Sequence, residues 1–445
     1  MLKVGLISLG CAKNSVDSEV IMGLLKQEGY QITEREELAD ILIVNTCGFI
    51  NSAKEESVNA ILDAAEYKKK GSCKALVVAG CLAQRYKDEL LAEIPEIDGL
   101  IGTGEIPRIA NVVREAVNGE RSAHVNTPDF IYDHEMPRIL STPGYTAYVK
   151  VADGCDNRCT YCAIPGIRGG YRSRPMESVS QEVSRLSAGG VREINLIAQD
   201  TTRYGFDLYG DYKLDKLLTD LVKIDDIAWI RVLYAYPTHF TDKLIEVMAH
   251  SEKICKYLDI PLQHADDKIL KAMNRRGSNY DILKLIEKLR SSIPGLAIRT
   301  SFIVGFPGET EESFENLVDF VKSVRFDRMG VFTYSPEEGT PAAELPGQVP
   351  EEVKEARRDI LMKIQQEISL EINKSKIEKT IDVLIEGKDH KEKELYVGRT
   401  QFDAPDVDGS VFVRGNGLQP GDIVPVKITH AYEYDLIGEV INESS

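Results

Sequence analysis

Residues 154–166 read GCDNRCTYCAIPG and place three of the chain's eight cysteines within one short loop. Three thiols cannot all pair with one another. The rest of the chain is cysteine-poor, as expected of a reducing compartment, so a disulfide framework fails. A structural zinc site asks for four ligands, commonly as two CxxC or CxxC/HxxxH halves, and no second half lies nearby. A 4Fe–4S cube is also commonly held by four thiolates. The spacing Cys155-x-x-x-Cys159-x-x-Cys162 supplies three and stops. On a four-iron cube, three protein ligands leave one iron open for something else to bind.

Around this stretch, strand and helix patterns alternate. Strand candidates fall at 146–151, 193–198, 229–236, 257–261, 297–305 and 329–334. Helices fill the gaps, among them 176–188, closed by Gly189 and Gly190, and 280–290. Six β/α units fall short of the eight of a closed barrel. The pattern predicts an open, partial (β/α)6 barrel with 351–374 as a closing helix. The cysteine loop follows its first strand, at the mouth where βα loops carry chemistry.

The first 120 or so residues repeat a simpler motif. KVGLISLGC (3–11), ADILIVNTC (39–47) and KALVVAGC (74–81) each end in Gly-Cys or Thr-Cys, with helical stretches at 17–28, 50–70 and 83–92. This predicts βαβ units and a parallel sheet. Parallel strands joined by right-handed crossovers point one way, so Cys11, Cys47 and Cys81 should emerge at one sheet edge. A Pro-, Asp- and His-containing stretch (127–143) reads as a linker. From Ile377 five short alternating strands predict a small antiparallel β-barrel, a type often used to hold nucleic acid. The expected division is 1–126, a linker at 127–143, 144–376 and 377–445, an α/β chain with a β-barrel at its end.

With 43% hydrophobic residues among 445, the chain can bury real cores. No apolar run approaches the roughly 18 residues of a membrane span, and the N-terminus reads as a first strand, which points to the cytoplasm. A net charge of −17 argues against a broad grip on phosphate backbones. Cys73 and Cys255 read as core residues. His239 and His264 follow strands and are read as structural or as mouth residues. Gly305–Thr310 lacks the Lys-Ser/Thr of a phosphate loop, and Thr310 reads as an N-cap. Tyr161 could cover a bound cofactor, and Arg168, Arg172 and Arg174 could contact substrate or cofactor.

CxxxCxxC after the first strand of a partial barrel resembles the radical S-adenosylmethionine superfamily. With Cys11, Cys47 and Cys81, with IPGIRGGYRSRP (164–175) and with a last barrel similar to the TRAM module, nearly the whole chain resembles the methylthiotransferases. All six cysteines match that family. SLGCAKNSVDSE (8–19), YPTHFTD (236–242), LDIPLQHADDKILKAMNRRG (258–277) and VGFPGETEESFE (304–315) are most similar to the branch that modifies an aspartate of ribosomal protein S-12. The tRNA-modifying branch tends to have Gln-Met-Asn after its first cysteine, where Ala12-Lys13-Asn14 stands here.

The resemblance implies two 4Fe–4S clusters, one on Cys155, Cys159 and Cys162 and one on Cys11, Cys47 and Cys81. It implies S-adenosylmethionine as cofactor and an electron donor such as flavodoxin or ferredoxin. By position, Gln199, Arg299 and Ser301 join Tyr161 as candidates to hold S-adenosylmethionine. The first cluster would generate a radical that takes hydrogen from the aspartate β-carbon; the second would deliver sulfur. The rivals are a tRNA methylthiotransferase acting on a modified adenosine and a non-enzymatic iron–sulfur carrier. Seven Lys and Arg against fourteen Asp and Glu over 377–445 suit a basic ribosomal protein better than a nucleic acid as direct substrate. Asp403, Asp406 and Asp408 are expected to present that acidic face. No membrane partner is expected.

Overall fold

The computed structural model describes residues 1–71, 73–389, 392 and 394–441. In the first third of the chain, β1 (Lys3–Ser8), β2 (Gln31–Thr33), β3 (Ile41–Thr46), β4 (Ala75–Gly80), β5 (Gly99–Ile101) and β6 (Ser122–His124) form one parallel sheet. Its order is β2-β1-β3-β4-β5-β6. Both β3 and β4 are buried at every residue, as ILIVNT and ALVVAG require when helices cover both faces. Ile41, Ile43, Ala75 and Val77 pack with Val16 and Val20 of the helix Ala12–Gln27 on one side. Leu42, Val44, Leu76 and Val78 pack with Ile61 and Ala64 of the helix Asn51–Lys70 on the other. The strands β2, β5 and β6 have only three residues each, too few for periodicity to reveal them.

The central part begins with β7 (Thr146–Lys150), followed by a short antiparallel ribbon of β8 (Ala152–Asp153) and β9 (Arg172–Ser173) that brackets the cysteine loop. Then come β10 (Glu193–Ile197), β11 (Trp229–Val232), β12 (Ile254–Asp259), β13 (Ala297–Val304) and β14 (Arg328–Thr333). The parallel sheet is ordered β14-β13-β12-β11-β10-β7 and stays open. The helix Glu351–Lys374 covers its last edge, with Leu361 and Ile368 in the same core as Phe302 and Phe326. Thr310 caps the helix Glu311–Val324 by accepting from the Ser313 N–H. The 127–143 stretch lacks regular structure but is tied down. Tyr132 is buried, and Arg138 bridges Glu19 (2.5 Å) and Glu182 (2.7 Å).

The last strands, β15 (Thr380–Lys388), β16 (Leu395–Thr400), β17 (Val411–Arg414), β18 (Ile423–Ala431) and β19 (Leu436–Val440), close a barrel ordered β15-β16-β17-β19-β18. One pair, β17 with β19, is parallel; the other four are antiparallel. Parity dictates this, since a ring of five strands cannot alternate direction all the way round. Residues 390, 391, 393 and 442–445 of the range expected for this unit lie outside the described residues.

The expected acidic face at Asp403, Asp406 and Asp408 is corrected by the structure. Asp403 is buried against Arg328 (2.5 Å). Asp408 accepts from the Tyr257 hydroxyl (2.6 Å) and lies 3.4 Å from Arg299. Asp406 accepts from the Tyr148 hydroxyl at 2.9 Å. Beside them Arg399 pairs with Glu193, which also meets Arg231 at 3.1 Å. The loop is a clamp that fastens the last barrel to the foot of the central sheet, where Arg and Tyr side chains await carboxylates. Among the described residues, no helix is long and apolar enough to cross a membrane.

Candidate active site

Cys11 caps the N-terminus of the helix after β1, Cys47 directly follows β3, and Cys81 directly follows β4. All three therefore stand at the carboxyl edge of the first sheet. Gly10 makes their approach possible, for a Cβ added there would lie 2.9 Å from the Cys47 Cβ and 3.3 Å from its Sγ. Asn14 donates to the Leu9 carbonyl at 2.6 Å, and Asn45 donates to the Asn14 carbonyl at 2.9 Å, which pins the turn to the sheet. Ser57 donates to the Cys47 carbonyl and accepts from its N–H, at 2.8 and 3.0 Å.

The second trio lies in the loop between β8 and β9. Gly154, with φ +79, starts it, and a Cβ there would meet the Gly170 carbonyl at 2.0 Å. The Cys155 N–H donates to the Gly169 carbonyl (3.1 Å), and Thr160 donates through its N–H and hydroxyl to Met273 (3.0 Å) and Ala272 (2.8 Å). Asn157 donates to Asp200 at 3.1 Å, whose same oxygen contacts His239 at 3.1 Å. His239 thus orders the loop from beneath, and His264 is occupied by Glu309 (3.2 Å) outside it. Tyr161 packs with Phe306, Tyr334 and Met273.

Arg168 joins the two trios. Its guanidinium reaches Asp17 (2.6 Å), Asp153 (3.2 Å), Asn14 (3.3 Å) and the Cys81 sulfur (3.4 Å). The neighbouring Gly169 carbonyl receives the Cys155 N–H. One short segment therefore meets a thiol of the first trio and the backbone of the second. Arg172 and Arg174 go elsewhere. Arg172 donates to the Gly170 carbonyl (2.6 Å), and buried Arg174 pairs with Glu182. Gln199 donates to Asp153 (2.8 Å), and its side-chain oxygen is buried without a partner among the described residues. Arg299 pairs with Asp259 (3.1 Å), and half-buried Ser301 is two residues further along the same strand. Cys73 and Cys255 sit in apolar cores.

Burial pushes the thiols of Cys47 and Cys155 up to about 11 and that of Cys162 to about 12, and raises Cys81 despite Arg168. At Cys11 desolvation is outweighed by Lys13 and Arg168, which hold the thiol lowered. Such thiols give up their protons when a metal takes them. Among the described residues no three His, Cys, Asp or Glu side chains are grouped as one metal ion needs. A single ion draws sulfur ligands to about 2.3 Å from one point, whereas a cube takes each thiolate on a different iron. Three thiols, with the nearby carboxylates of Asp17 and Asp153 already paired to Arg168 and Lys150, suit iron–sulfur better than a hard cation.

Comparison with known proteins agrees along the whole chain. Residues 3–102 match the uncharacterized protein family UPF0004, 149–321 the Radical SAM superfamily and 377–441 the TRAM domain. The ribosomal protein uS12 methylthiotransferase RimO of Pelotomaculum thermopropionicum is 56% identical over 441 residues, 99% of each chain. Its namesake from Desulforamulus reducens is 57% identical over 442 residues, covering 99% of this chain and 100% of the other. Among solved structures, the radical S-adenosylmethionine methyltransferase TsrM of Kitasatospora setae, with cobalamin and a 4Fe–4S cluster bound, superposes with a TM-score of 0.56. It is 15% identical, with 76% of this chain and 73% of that one covered, and bears on the fold alone. With matches of this identity spanning both chains end to end, the protein belongs to the ribosomal protein uS12 methylthiotransferases of the radical S-adenosylmethionine superfamily.

Proposed function

We propose that Cys155, Cys159 and Cys162 hold one 4Fe–4S cluster, that Cys11, Cys47 and Cys81 hold the other, and that the enzyme methylthiolates the β-carbon of an aspartate in ribosomal protein S-12 (uS12). The observation that carries this reading is the Arg168–Gly169 segment, bonded to Cys81 on one side and to the Cys155 N–H on the other. When bound, the clusters and S-adenosylmethionine supply a carbon-centred radical at one site and sulfur at the other.

The chain's own residues do the rest. Arg168 holds the two sites in register, because its contacts to Asp17, Asn14 and Asp153 leave it little freedom. Tyr161, with Phe306 and Tyr334 behind it, keeps water from the radical side. Tyr161, Gln199, Arg299 and Ser301 are the residues that would hold S-adenosylmethionine, Arg299 being placed by its partner Asp259. A flavodoxin or ferredoxin supplies the electron, and the work is done in the cytoplasm. The units of this reading are 1–126, the linker 127–143, 144–376 and 377–445.

Reconstituted protein with S-adenosylmethionine, dithionite and sulfide tests this. Cys159→Ala should abolish 5′-deoxyadenosine formation, and Cys47→Ala should keep it while losing methylthiolation. Wild-type transfer rates in the Cys47 variant would refute the role of the second cluster. Modification of tRNA in place of S-12 would refute the substrate.

A further inference from the structure

We propose that Lys13 is a specificity-determining residue, the cation that receives the side-chain carboxylate of the target aspartate; this rests on the substrate reading above. Lys13 is 8% exposed, and its ammonium lies 2.9 Å from the centroid of the Tyr234 ring. Tyr234 follows β11 at the mouth of the central sheet, with φ 61, and its N–H donates to Asp259 at 3.2 Å. Lys13 itself is two residues from Cys11, so it extends from the edge of the first sheet into the mouth of the second.

Every other cation in this place is already engaged. Lys150 is held by Asp17 (2.5 Å) and Asp153 (2.9 Å). Arg168 is held by the same two carboxylates. Arg299 has Asp259 and Asp408, and Arg275 donates to the Pro261 carbonyl at 2.5 Å. The Lys13 ammonium alone among these five forms no hydrogen bond or ion pair with the described residues; it lies over the Tyr234 ring face, with the Cys11 thiol and the Asp259 carboxylate as electrostatic neighbours beyond bonding distance.

A buried cation with no carboxylate in direct contact is costly unless something supplies a bonded counter-charge. The Tyr234 face steadies an ammonium without neutralising it. In an aspartate the carboxylate is one bond from the β-carbon, so fixing that group beside Lys13 also fixes the carbon that reacts. Asparagine at the same place offers no charge, and a nucleobase offers none either.

The test uses holoenzyme with both clusters, S-12, and S-12 carrying Asn at the target position. Fluorescence anisotropy gives Kd for each, and product formation gives KM and kcat. Wild type should bind the Asp form more tightly than the Asn form by about tenfold or more, since a site built for a charge rejects the analogue without it. Lys13→Gln should erase that preference by weakening the Asp form only, and Lys13→Arg should restore most of it. An equal preference in wild type and Lys13→Gln would overturn the proposal, as would wild type binding both forms alike, a comparison that needs no variant. Wild type that neither binds nor modifies the Asp form would refute the substrate reading instead.

Discussion

Gly10 shows how narrow the tolerance is around the first-sheet cysteines. Its φ of +93 and the 2.9 Å approach of an added Cβ to Cys47 leave no room for a side chain. Gly10→Ala should cost more than about 1 kcal/mol and push Cys11 and Cys47 apart. Bound iron after reconstitution should fall to about half, the content of one cluster in place of two. Iron content equal to wild type would show that the turn is free to adjust. The six cysteines could be read from spacing and from their matched places at strand ends. Asn14, Ser57 and Lys13 could not, because polar residues in a helix or its first turn look the same in sequence whether they face solvent or a site.

The loop after β16 is where an element's charge pattern misleads. Three aspartates in six residues read as a solvated face, yet each has an Arg or Tyr of the central sheet as its partner. Their costs should differ with burial. Asp403→Asn leaves Arg328 buried and uncompensated and should destabilise by about 3–5 kcal/mol. Asp406→Asn keeps an oxygen that accepts from the Tyr148 hydroxyl and loses only the charge, at an exposed position whose φ of +68 Asn also adopts, so no more than about 1 kcal/mol is expected. Thermal unfolding of the two variants checks the order. Equal losses would mean that the clamp is not where the last barrel is held.

At the scale of the whole molecule, the Glu193 triad links residues 206 positions apart in sequence. Burial alone would raise this carboxyl, but Arg399 and Arg231 outweigh it and pull it down to about 2 from an ordinary 4.5. A depressed folded value means that the stability is fully present above about pH 4.5 and is lost as pH falls through about 2. The stability gap between wild type and Glu193→Gln should therefore shrink over that window, as read by denaturant unfolding at each pH. A gap unchanged from pH 5 to pH 2.5 would show that Glu193 is not ionised in the folded protein. Above the window the variant should be weaker by about 3–5 kcal/mol, because two buried arginines lose their carboxylate.

The order of the six long strands of the central sheet, the three cysteine-bearing strands of the first sheet and the five strands of the last barrel were legible as runs of Val, Ile and Leu between turn residues. So was the gathering of Cys11, Cys47 and Cys81, because a parallel sheet sends every strand end to one edge, whatever the details of packing. Cys155, Cys159 and Cys162 were legible from their spacing within one loop. The parallel β17–β19 pair was not legible, since it follows from closing a ring of five. Nor could sequence show which charges turn inward. The partners of Asp403, Glu193 and Arg168 lie 75, 206 and 151 residues away. Local pattern fixes which face of an element is apolar; only the packing of one unit on another decides which buried cation, Arg168 or Lys13, finds a carboxylate within the chain and which does not.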